Sequence, residues 1–122
     1  MPIVDVEMVG PVAGADDGAV AQALAEAAAA VFGAAPATTW VRVRVLPPQA
    51  YAENGAAVAA SEWPIFVTVR KRRTPEHAAL AAEVRALTDA IAAVVRRPAE
   101  RVHVEYMPPV AGRMAFGGTL VD

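Results

Sequence analysis

The chain has 122 residues and a formal net charge of −2, with 56% hydrophobic but only 6% aromatic residues. That length fits one domain, and the apolar excess is alanine and valine, which points to small-residue helices and valine-rich strands. The charge balance gives no footing for nucleic acid or an anionic membrane as partner. The absence of cysteine excludes disulfides, thiolate metal sites and thiol nucleophiles.

The first residues, Met1-Pro2-Ile3-Val4-Asp5-Val6, lack the basic start of a signal peptide. Ala19–Val31 is too short and alanine-rich to span a bilayer, so a cytoplasmic location is expected. Pro2 to Val9 alternates in part and reads as a strand, followed by the breaker cluster Gly10–Gly14. Asp16 or Asp17 can cap a helix running to about Phe32, with Val20, Leu24, Ala27, Val31 and Phe32 on one face and Gly33 past its end. Trp40–Val45 alternates as a strand with one basic face, closed by Pro47-Pro48.

The same order then returns. Pro64–Val69 is a strand. Thr74-Pro75-Glu76 predicts a helix start with proline at the first helical position, and Leu80, Val84, Leu87, Ile91 and Val94 keep the helical period to about Arg96. Val102–Tyr106 is a strand closed by Pro108-Pro109. Pro2-Ile3 recurs as Pro64-Ile65 and Pro36-Ala37 as Pro98-Ala99, both 62 residues apart. Val41–Pro48 matches Val102–Pro109 at a spacing of 61, which one inserted residue near Trp40 reconciles. Tyr51–Gly55 and Phe116–Gly118 are parallel tails. The chain is thus a duplication, about 2–60 and 64–118, within one domain spanning 1–122. Its expected class is α+β: a βαββαβ chain with a four-stranded sheet and both helices on one face. The other face is left for neighbouring subunits to cover.

At this point the sequence resembles the tautomerase superfamily, in its fused 4-oxalocrotonate tautomerase form. The carriers are Met1-Pro2-Ile3-Val4, the duplication, Val41-Arg42-Val43, Arg73-Thr74-Pro75-Glu76 and Gly112–Gly118. The resemblance implies a homotrimer that acts on a small anionic substrate. Removal of Met1 would free Pro2 as a secondary amine, and in an apolar pocket such an amine is neutral at cell pH and can carry a proton. Arg42 and Arg73 correspond to arginines that hold a substrate carboxylate, which their planar forks suit. Pro64 echoes Pro2 but remains an ordinary peptide. Tyr51 and Phe116 correspond to hairpin aromatics that wall the pocket, and Tyr51 could donate to a developing enolate oxygen. His103 and Glu105 occupy the repeat positions of Arg42 and Arg44 and are candidates to line the site. Arg70 and Lys71 read as a solvated loop. The two histidines do not cluster, and no metal or cofactor is expected.

The implied reaction is a proton shift in a 2-oxo or 2-hydroxy unsaturated acid. The family's haloacrylate dehalogenases carry a glutamate in the region of Ala115, so the alanine here favours keto–enol chemistry. A dehalogenase or hydratase of unsaturated acids, with Glu105 activating water, and a non-catalytic binding module of the same fold remain the alternatives.

Overall fold

The computed structural model describes residues 2–122, so Met1 lies outside the described residues. The first repeat forms β1 (Ile3–Val9), α1 (Asp17–Phe32) and β2 (Trp40–Leu46). The second forms β3 (Ile65–Arg70), α2 (His77–Val95) and β4 (Val102–Tyr106), and a short hairpin, β5 (Ala115–Phe116) and β6 (Thr119–Leu120), ends the chain. The sheet order is β2-β1-β3-β4. Within each repeat the two strands are parallel, and β1 and β3 meet antiparallel at the centre. The repeats are therefore related by a pseudo-two-fold axis, with Pro2 at one end of the sheet and Pro64 at the other.

Alternation along each strand separates two faces. Val4, Val6 and Met8 of β1 and Ile65, Val67 and Val69 of β3 are buried, together with Leu24 of α1 and Leu87 and Ile91 of α2. Both helices thus cover one face of the sheet. The intervening residues Asp5, Arg42, Thr68 and Glu105 share one row across the other face, and Glu7, Arg44, Phe66 and His103 share the next.

Each helix is started differently. The Asp16 carboxylate accepts from the Ala19 amide at 2.8 Å, and Gly33 closes α1 in the left-handed conformation. The expected start of α2 at Thr74-Pro75 moves to His77, with Glu76 extended ahead of it and no side-chain cap. The amides of Val110 and Ala111 bond to the carbonyls of Lys71 and Arg72, which ties this connection to the tail and delays the helix. The core faces also rotate by one residue from the periodic reading. Ala28 and Val95 are buried, whereas Val94 is only partly so. Alanine-rich helices carry little contrast between adjacent positions, so their phase is weakly marked in sequence.

Gly10 shows where backbone freedom matters. Its φ is +72°, and a Cβ there would stand 2.3 Å from a ring carbon of Trp63. Gly10→Ala is therefore expected to cost about 2–3 kcal/mol through combined strain and overpacking. A lower denaturation midpoint at unchanged slope would show it.

Candidate active site

Strand β1 starts just after Pro2, whose carbonyl accepts from the Trp40 amide at 3.0 Å. Pro2 is partly buried and lines a cavity of about 370 Å³. Phe32, Ala34, Ala35 and Thr38 form one wall, from the end of α1 onward. Lys71, Arg72 and Arg73 form the other, in the connection after β3. Antiparallel pairing of β1 with β3 is what brings the second repeat's basic run to the first repeat's proline. No lining residue of this cavity is a carboxylate.

The basic run is not one solvated stretch. Arg70 pairs with Asp5 on the open face at 2.5 Å. Lys71 is tucked beneath the sheet, 2.8 Å from Glu83 and 4.8 Å from the centroid of the Phe32 ring. Arg72 donates to the main-chain oxygen of Asp122. Arg73 alone of the four makes no hydrogen bond or ion pair among the described residues, so its guanidinium remains available at the cavity.

The other candidates divide between the two ends of the sheet. Phe116 joins the Pro2 end, its ring edge-on to Trp40 at 5.0 Å. Strand β4 runs toward that end, so the tail that follows it folds there. Strand β2 runs the opposite way and carries Tyr51 to the Pro64 end. There Tyr51 and His103 flank Phe66, at 6.1 and 5.6 Å between centroids. The Tyr51 hydroxyl donates to Glu53 at 2.6 Å, and Glu53 is also held by Arg101. The Glu53 carboxylate favours the protonated phenol and raises the Tyr51 pKa. Within this chain that hydroxyl is committed to Glu53. Glu105 is exposed on the edge strand β4, opposite Thr68.

Arg42 is also on the open face, where its Nε and Nη2 grip the two oxygens of Asp5 at 2.5 and 2.9 Å. Within one chain the structure thus brings Pro2, Arg73 and Phe116 to one end, and holds Arg42, Glu105, Tyr51 and His103 away from it. The bond from Arg42, reinforced by Arg70, holds the Asp5 carboxyl below its ordinary value. Because the folded-state pKa is depressed, this network supports the fold fully above the ordinary value of 3.8. The support is lost as pH falls below it. Asp5→Asn is expected to flatten that part of the stability–pH curve, as equilibrium denaturation at several acidic pH values would show.

The Pro64 end is built differently. Pro64 is fully buried. Arg97 donates to the carbonyls of Val9, Gly10, Pro11 and Trp63, at 2.7, 2.8, 3.1 and 3.3 Å. At the same 62-residue offset the first repeat has Ala35, which leaves room beside Pro2. A cavity of about 330 Å³ also lies at this end, lined by Pro11, Trp63 and Arg97 among others, but it does not reach Pro64, whereas the cavity at the other end reaches Pro2.

No protein-family model matches the sequence, and no curated sequence is similar to it. Solved structures do match. Pt0534 inactivated by 2-oxo-3-pentynoate is 16% identical with a TM-score of 0.78, the alignment covering 98% of this chain and 94% of that one. The Q0 fused 4-OT wild-type symmetric trimer is 19% identical over the same shares, also at a TM-score of 0.78. The chain has the tautomerase-superfamily fold. N1, a member of the cis-3-chloroacrylic acid dehalogenase family, matches at 18% identity and a TM-score of 0.74, covering 98% of this chain and 83% of that one. These identities establish the tautomerase fold and leave the chemistry to be argued from the site.

Lys71, expected from the sequence to be part of a solvated loop, is instead largely buried against Glu83. Its partner, Glu83, reads as one more polar position of α2, and no local pattern marks the pair. Among the described residues no group of three metal-ligating side chains occurs, and no helix is long and apolar enough to cross a membrane.

Proposed function

We propose that this chain is a tautomerase that moves a proton within a 2-oxo or 2-hydroxy unsaturated acid, using the amine of Pro2 freed by loss of Met1. The observation that carries this reading is the single cavity shared by Pro2 and Arg73, with Phe32 as an apolar wall. Arg73 would hold the substrate carboxylate through its planar fork, placing the carbon next to the carbonyl at the proline nitrogen. The nitrogen takes a proton from that carbon, the C–H electron pair passes into the enolate, and the same proton returns elsewhere on the conjugated system. No water is consumed, which suits a cavity wall without a carboxylate. A dehalogenase would need a group there to activate water.

The fold neighbours Q0, F6 and R7 are fused 4-OT trimers, which supports a homotrimer here. Exposed Trp40 and Phe66 lie on the face that two further copies would cover. In that assembly Arg42, Tyr51, His103 and Glu105 would act across a subunit boundary. The test is ketonisation of a simple enol acid such as phenylenolpyruvate by the purified protein. Turnover well above the buffer rate is expected, and none at any pH would reject the reading.

A further inference from the structure

The proposed reaction leaves one set of groups beside the cavity without a role: Lys71, Glu83 and Tyr106. Ile3 pairs with Arg70 in the antiparallel register, so extending the register by one residue sets Pro2 opposite Lys71. Strand alternation puts both on the helix side of the sheet, consistent with the ammonium lying over Phe32. Lys71 is held there. Its ammonium is 2.8 Å from one oxygen of Glu83, the two side chains are only 18% and 14% exposed, and the Tyr106 hydroxyl donates to the other oxygen. Lys71 lines the Pro2 cavity and Glu83 does not, so of the two charges the lysine is the one at the cavity.

We propose that the Lys71–Glu83 pair, anchored by Tyr106, tunes the Pro2 amine: Lys71 disfavours its protonated form and Glu83 limits how strongly. This rests on the reading of Pro2 as a free amine. Lys71 is then a positioning residue that acts through Pro2. The other charges near Pro2 are few. Arg72 and Arg73 come from the same connection, and Asp122 is held by Arg72. The Asp5, Arg42 and Arg70 group lies on the opposite face of the sheet. The end of α1 and the segment 34–38 contribute Phe32, Ala34, Ala35 and Thr38 to the cavity, none of them charged.

Opposite signs for the two partners make the proposal testable. The protein is labelled with 15N-proline and the Pro2 nitrogen is followed by NMR as pH is varied. Of the 10 prolines, only an amino-terminal one can titrate. Lys71→Met removes the cation and leaves Glu83, so the midpoint should rise by about one pH unit. Glu83→Gln leaves the cation unopposed, and the midpoint should fall by roughly half a unit or more. Lys71→Arg should keep it close to that of the original protein, which separates charge from packing. Unchanged midpoints in both Lys71→Met and Glu83→Gln, or shifts of the same sign, overturn the tuning role alone and leave the proposed reaction standing. If no proline nitrogen titrates in the unsubstituted protein, Pro2 is not an amine, and both proposals fall.

Discussion

Pro2→Ala is expected to lower kcat/KM for ketonisation of an enol acid at least about 10²-fold, the lower end of what a positioned acid–base group contributes. The substitution should leave the fold intact. Pro2 contributes its carbonyl to the Trp40 amide, and alanine supplies the same carbonyl. Alanine also permits removal of Met1, so an amine would still stand at the cavity. That amine is primary, more flexible and without the proline ring that fixes the nitrogen's direction. An unchanged thermal midpoint alongside the lost activity would place the effect in the chemistry. Activity within a few-fold of the unsubstituted protein would mean that the proton travels by another group.

The second large effect is expected at Arg73. Arg73→Ala should lower kcat/KM by about 30–150-fold, corresponding to the 2–3 kcal/mol of a charged, bidentate hydrogen-bonded contact. Arg73→Lys should recover only part of this, since an ammonium cannot match a carboxylate with two parallel bonds. Stability should change by no more than about 0.5 kcal/mol, because Arg73 has no partner among the described residues and leaves none unpaired. Arg42 makes the contrast. It grips both oxygens of Asp5, so Arg42→Ala acts first on the ion pair. Steady-state kinetics of Arg73→Ala and Arg42→Ala side by side, with denaturation curves of both, separate a residue free for substrate from one already engaged. Equal kinetic losses would show that Arg42 works at a site in the assembly.

The duplication, the succession of elements along the chain and the helix-covered face were legible because they rest on long-period identities and on alternation. Pro2 and Pro64, Val41–Pro48 and Val102–Pro109 align without a structure. The pseudo-two-fold fixes what such alignment cannot: which tail reaches which proline. Tyr51 and Phe116 look equivalent in sequence, yet β2 and β4 run toward opposite ends, so Phe116 lies with Pro2 and Tyr51 with Pro64. Four adjacent basic residues also looked alike. Arg70 points to the open face and Lys71 to the helix side, Arg72 and Arg73 follow the end of the strand, and the partners Asp5, Glu83 and Asp122 come from three distant segments. Of the four, Arg73 alone makes no hydrogen bond or ion pair among the described residues. The role of Arg97 at the second end was hidden for a similar reason, because it acts through carbonyls, which leave no trace in side-chain patterns.

The proposed chemistry depends on a free, nucleophilic Pro2 amine at this cavity. A 2-oxo alkynoate such as 2-oxo-3-pentynoate, electrophilic at the alkyne carbon β to its carbonyl, is a suitable trap for such a group. The amine would add to the alkyne carbon β to the carbonyl, the π electrons would pass to the carbonyl oxygen, and the amine's proton would end on the α carbon. The decisive measurement is the mass of the amino-terminal peptide after that reaction at neutral pH, with fragmentation to locate the adduct. The expected peptide begins at Pro2, lacks Met1, and carries one equivalent of the reagent on the proline nitrogen. A peptide that retains Met1, or an adduct located only at other residues, would contradict a reactive Pro2 amine.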